Sequence, residues 1–232
     1  MIGSTFFPRE NKDNHRLSFP LSEAEKYVLN GVRTPSQSAA RAIMGNHFFG
    51  LEDVRHHYGA FFGGEGVALL EHVPFSEATL RACRTTHILF PGYPLSITEM
   101  YAKCPKIFSP LGNAQFDSFA RDERVDLRWY LIRRTYRPAT QTFAEQHAQL
   151  SCHEEVPLAC EMVFMAILSW LARKQRVFRG MRVLCDDLMR GISDPGDCRV
   201  FVQEDERKQG ISFGRFSHLC NEPVVLAIAR KN

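Results

Sequence analysis

The segment that most restricts the fold is an apolar stretch of helical period at residues 157–173, followed by four short strand-like pieces. Pro157 suits a first helical turn. Val156, Cys160, Val163, Ile167, Trp170 and Leu171 recur at helical spacing and predict one core-facing stripe. Glu154 and Glu155 sit where acidic groups favour a helix start. Arg173, Lys174, Arg176 and Arg179 sit where basic groups favour its end. The strand candidates are residues 182–186, 198–203, 211–216 and 224–229, with turns at 194–197 and 208–210. The last run reaches Lys231, one residue before the final Asn232. An apolar end of this kind is expected to be tied into a sheet, because loose apolar termini fray. The pattern predicts a small helix-plus-antiparallel-sheet unit.

Upstream the signals are more local. Residues 1–38 are polar and irregular, with Pro8, Pro20 and Pro35, and read as an extended arm with a short helix at 22–29. Ordered helix is expected from about Ala39. Residues 51–57 read as a short helix stopped by Gly59, and Ser76 as the N-cap of a helix at 77–84. Gly63, Gly64 and Gly66 punctuate the chain before a helical piece at 67–72. Residues 87–90 are apolar and closed by Pro91 and Gly92, which predicts a buried strand. Ser96 with Glu99, and Thr142 with Glu145, are capping boxes that open helices to about Lys103 and Leu150. Residues 104–123 read as a loop. Val125, Leu127, Trp129 and Leu131 alternate cleanly and predict a strand with those four side chains on one face. The fold class read from these pieces is α+β, in three parts: an arm at 1–38, a mainly helical part at 39–123 and a mixed unit at 124–232.

Bulk composition bounds the class without choosing a function. The chain has 232 residues, 44% hydrophobic and 24% charged, which are ordinary values for a globular core. Its net charge of +3 is too small to argue for a polyanionic partner. Seven cysteines at wide spacing, with no Cys-x-x-Cys, read as free thiols in a reducing compartment. No apolar run has the length of a signal sequence core or a membrane helix, so the expectation is a cytoplasmic chain with no membrane partner.

Three sets of residues carry candidate chemistry. His147, Cys152 and His153 lie close together, and His218 with Cys220 adds a second pair; together these are the metal candidates. Their spacing fits no established zinc pattern, so polar loop residues and buried thiols are the simpler account and no cofactor is expected. Arg128, Arg133, Arg134 and Arg137 cluster around Tyr130 and Tyr136, a mixture that holds single-stranded nucleic acid by phosphate contact and stacking. Strand alternation turns Arg128 and Tyr130 away from Trp129, so a solvated face with ion pairs competes with that reading. Asp186, Asp187, Asp194 and Asp197 decorate one strand-connecting loop, and His218, Asn221 and Glu222 another.

Several stretches also resemble a group of uncharacterised prokaryotic and phage-associated proteins. They are His47-Phe-Phe-Gly-Leu-Glu-Asp-Val-Arg-His-His-Tyr-Gly59, Val73-Pro-Phe-Ser-Glu-Ala-Thr-Leu80, His87-Ile-Leu-Phe-Pro-Gly-Tyr-Pro-Leu-Ser-Ile97, Glu154-Glu-Val-Pro157 and Leu226-Ala-Ile-Ala-Arg-Lys231. The tail resembles the end of C-type-lectin-like domains of the formylglycine-generating-enzyme and diversity-generating-retroelement type. That resemblance implies a closing hairpin between residues 211–216 and 224–231, with loops 186–197 and 217–223 as contact surfaces. The enzyme family's Arg-Gly-Gly-Ser segment, Gly-Phe-Arg ending and copper-binding cysteines have no counterpart here, so it implies no catalysis. The leading expectation is therefore a non-enzymatic binding protein for an unknown protein or small-molecule ligand, its residues Asp186, Asp187, Asp194, Asp197, His218, Asn221 and Glu222. A nucleic-acid-binding accessory protein and an enzyme with a Cys/His or metal site are the alternatives.

Overall fold

A computed structural model describes residues 34–109, 118–136, 141–178, 180–189, 198–205, 210–216 and 224–231. The expected helix at 22–29 lies outside them. The described residues form an α+β fold, with eight α-helices and two four-stranded sheets.

The helices begin where local chemistry starts them. α1 (Gln37–Met44) is capped by Ser36, whose hydroxyl accepts the Ala39 amide at 3.3 Å. α2 (Leu51–Tyr58) ends at Gly59, left-handed at φ 63°, as expected for a glycine stop. α3 (Gly64–Leu69) starts earlier than expected, because Gly64 and Gly66 enter the helix instead of preceding it. α4 (Glu77–Cys83) is capped by Ser76, and α5 (Ile97–Lys103) by the Ser96–Glu99 box. Glu99 is held further by two Arg124 contacts at 2.8 and 2.9 Å. The expected loop 104–123 contains, in its described part, a 3-10 turn at Pro105–Ile107 and α6 (Ser118–Arg121). α7 (Phe143–Ala148) follows the Thr142–Glu145 box, and α8 (Ala159–Arg173) is the long helix that the sequence pattern predicts.

One sheet has the order β1 (His87–Pro91), β2 (Trp129–Arg133), β8 (Ala229–Arg230) and β3 (Glu154–Glu155). The other has the order β6 (Gly210–Phe216), β5 (Cys198–Asp205), β4 (Val183–Met189) and β7 (Val225–Leu226). β2 is shorter than the alternation at 125–133 predicts. The Arg128 amide bonds to Asp126 O at 3.0 Å, and this tight turn takes 125–128 out of the ladder. Trp129 and Tyr130 are both buried, because β2 lies inside the sheet and is covered on both faces. Glu154 and Glu155 are in a strand, not at the helix start. Glu161 is the acidic residue of the first turn, and its carboxylate accepts the Leu158 amide at 2.9 Å.

α8 differs most from its expected environment. Every residue from Ala159 to Ser169 is buried, so the helix has no polar face over that length. It packs against α2, α5, α6, β4 and β5, and Phe164 stacks on Tyr58 at 4.4 Å and on Phe90 of β1 at 5.8 Å. The helix therefore lies between the two sheets, and a helix apolar all round is a core helix. One apolar cluster runs from Ala40 to Ala229 and joins the 39–123 part to the 124–232 part.

The last strand divides. Val225 and Ala227 donate to Arg182 O and Leu184 O at 3.0 and 2.8 Å, which places β7 parallel to β4. The chain then crosses to the other sheet, where β8 pairs antiparallel with β2 and β3. Among the described residues the closing hairpin implied by the lectin-like resemblance does not occur: β6 pairs with β5 along its whole length. No helix among the described residues is long and apolar enough to cross a membrane.

Candidate functional site

The crossing of residues 225–230 from one sheet to the other leaves a cleft of about 510 Å³ at the junction. Its walls are Thr86, Arg133, Thr135, Tyr136, Gln141, Gln146, Gln149, Leu150, Glu154, Val225, Leu226 and Ile228. α7 roofs it. The Thr142–Glu145 box fixes the start of α7, with the Thr142 amide donating to Glu145 at 2.7 Å. That start aims Gln146 at β7. The Leu226 amide points away from β4 in the parallel ladder, and it donates to Gln146 Oε1 at 3.0 Å. Gln146 Nε2 donates in turn to Gln141 O at 2.9 Å. Arg199 lies 4.0 Å over the Phe143 ring and anchors the helix from the other side.

The charged wall comes from strand register. His87 opposes Arg133, Leu131 opposes Arg230, and Arg230 opposes Glu154. Alternation therefore puts His87, Arg133, Arg230 and Glu154 on one face of the sheet. Arg133 Nη2 lies 3.4 Å from Glu154 Oε1, while Glu154 Oε2 accepts the Ser151 amide and hydroxyl, each at 3.1 Å. Burial raises the Glu154 pKa, but the Ser151 bonds and the two guanidinium groups outweigh it and hold the carboxyl below its ordinary value. Behind this pair His87 is buried, with Nδ1 2.8 Å from Thr86 Oγ1. Burial, then Arg133 and Arg230, push its pKa down to about 4, so the ring is neutral at physiological pH. Cys83, at the end of α4, faces the same group, and burial raises its thiol pKa despite Arg230. His87 Nε2 and Arg230 Nε are buried without a hydrogen-bond partner among the described residues.

The expected site residues fall in several places. Asp194, Asp197, His218, Cys220, Asn221, Glu222 and Arg137 lie outside the described residues. Asp186 is exposed and accepts Arg199 at 2.6 Å. Asp187 belongs to the core, not to a contact loop. A bulge between Leu184 and Leu188 interrupts β4, and Asp187 Oδ2 accepts the Ala159 amide at 2.6 Å, holding the α8 N-terminus. Burial raises the Asp187 pKa to about 6, and Oδ1 has no partner among the described residues. His147, Cys152 and His153 are exposed; the His147 ring stacks on Phe143 at 5.6 Å. No group of three metal-ligating side chains occurs among the described residues. Four of the six described cysteines (Cys83, Cys160, Cys185 and Cys198) are buried, and all six are free.

The Arg/aromatic cluster is not a stacking surface. Tyr130 and Tyr136 are buried, and the Tyr136 hydroxyl donates to Arg133 O. Arg128 lies 4.6 Å over the Tyr130 ring and bonds Glu155 at 3.0 Å and Glu161 at 3.5 Å. Arg134 contacts His47. The structure brings Arg133 and Tyr136 to the cleft but adds Thr86, Thr135, Glu154 and three glutamines that the sequence reading passed over. The nearest sequence signal was the Thr142–Glu145 box, which places Gln141, Gln146 and Gln149 on and beside one short helix. Comparison of this chain with protein-family models, with curated proteins and with solved structures finds no match.

Proposed function

We propose that this is a non-enzymatic binding protein and that the cleft between the two sheets is its ligand site. The loops 190–197 and 217–223 lie outside the described residues, so the proposal rests on the cleft. The observation that carries it is the lining: three glutamine amides, two threonine hydroxyls and one Arg–Glu pair around about 510 Å³. That volume is in the range of small-molecule sites. Amides and hydroxyls offer both donors and acceptors, so they recognise a polar ligand by directed hydrogen bonds. The test is thermal denaturation with a panel of sugars, amino acids and small organic acids. A bound compound raises the melting temperature by mass action. Thr135→Trp, which fills the cleft, should abolish that rise while leaving the unliganded melting temperature within a few degrees. A rise that survives Thr135→Trp would place binding elsewhere.

A second reading, single-stranded nucleic-acid binding, is supported by one surface. Lys174 and Arg176 lie 5.8 and 5.7 Å from the ring of the partly exposed Trp170. Oligonucleotide affinity that falls steeply with added salt and with Trp170→Ala would favour this reading over the cleft.

A further inference from the structure

We propose that the cleft selects ligands carrying a single carboxylate, with Arg133 as the anion contact; this deepens the binding reading above and rests on it. The face that forms the charged wall holds two guanidinium groups, Arg133 and Arg230, and one carboxylate, Glu154. His87 and Cys83, the other titratable groups there, are neutral. Among the described residues, one positive charge on that face is left over.

Arg133 is the guanidinium of this face that lines the cleft, and it shares Glu154 with Arg230. Glu154 Oε2 is occupied by Ser151, and Glu154 lies opposite Arg230 across the β3–β8 ladder. Arg133 reaches Glu154 through one long contact of 3.4 Å. Its side chain is about one-third exposed, at 35%, against 13% for Glu154. Arg133 thus has N–H donors turned to the cleft, and a guanidinium fork matches a carboxylate. The neighbouring Thr86 and Thr135 hydroxyls and the glutamine amides supply neutral bonds for the rest of such a ligand. A phosphate is disfavoured, since its second negative charge would face the Glu154 carboxylate. The shared chemistry is anion recognition, and the sources separate by charge.

The test uses the full chain and three small molecules, N-acetylglutamine, N-acetylglutaminamide and inorganic phosphate, titrated by ligand-observed NMR. The carboxylate should bind roughly tenfold or more tightly than its neutral amide, the range of a charge-assisted hydrogen bond. Phosphate should not compete with it. Arg133→Gln should erase the preference, so that acid and amide bind alike, and Arg133→Lys should keep part of it. Equal binding of acid and amide by the native chain would overturn the inference, as would a preference for phosphate or one that survives Arg133→Gln. If neither compound binds, or both bind undiminished to Thr135→Trp, the cleft reading itself falls. Binding at the cleft without charge preference removes only this inference.

Discussion

At the scale of single residues, His87 shows how position sets chemistry. In the sequence it is the first residue of an apolar strand and nothing marks it as special. In the fold it is buried, beneath two guanidinium groups, and its pKa falls to about 4. The unfolded imidazole takes up a proton near pH 6.5, while the folded one does not until about pH 4. Between those values the unfolded state binds more protons, so stability is full above pH 6.5 and is lost as the pH falls toward 4. The loss reaches roughly 2–3 kcal/mol for a shift of this size. Chemical denaturation of the native chain and His87→Gln across pH 4 to 7 should show that component only in the native chain, and an NMR titration should find His87 neutral at pH 5. None of this was legible in the sequence, because the groups that act on His87 arrive from β2 and β8 by long-range register.

At the scale of elements, the starts of helices were the most legible part of the chain. Ser76, Ser96 and Thr142 cap α4, α5 and α7 as their sequences predict, since a capping box is closed within four residues. The start of α8 is less legible for the converse reason: Glu161 holds the Leu158 amide locally, but the Ala159 amide is held by Asp187, 28 residues away on a bulged strand. Asp187→Ala should cost about 1 kcal/mol by removing the acceptor for the Ala159 amide. Asp187→Asn keeps an acceptor and should cost less. The carboxyl has the opposite pH sign from His87. Its folded pKa of about 6 exceeds the ordinary value, so the folded state binds more protons between about pH 4 and 6, and this residue's contribution to stability declines as pH rises through that window. Asp187→Asn should remove that slope in denaturation experiments. Gly92 gives a sharper case. A Cβ there would collide with the Asp126 carbonyl oxygen and crowd the Tyr130 ring and Val125, while the Gly92 amide is held to Arg128 O at 2.7 Å. Gly92→Ala should therefore destabilise by several kcal/mol, read from the denaturation midpoint, because the Asp126 backbone must move.

At the scale of the whole molecule, α8 and the last eight described residues hold the two sheets together. The α+β class and most strand positions could be read from periodicity. The all-round burial of α8 could not, since a helix between two sheets differs from a surface helix only in what surrounds it. The division of residues 224–231 between two sheets was equally hidden, because period-2 alternation says nothing about which neighbour a strand will choose. The cleft exists only because of that division. Phe164 touches Tyr58 of α2 and Phe90 of β1 from the middle of α8, so Phe164→Ala should cost about 3–5 kcal/mol. Hydrogen exchange should show that loss equally in β2 and β4, since one apolar cluster spans both sheets.

Side-chain amide NMR tests whether the junction of the sheets is a binding site. The amide resonances of Gln141, Gln146 and Gln149 would be followed while N-acetylglutamine is added to the labelled full chain. Ligand in the cleft should give saturable shifts at these three amides and at the backbone amides of Thr86 and Leu226, and none at Trp170 or on the outer face of α1. Titration to millimolar ligand with no shift at the cleft, or with shifts confined to another surface, would rule the junction out as the binding site.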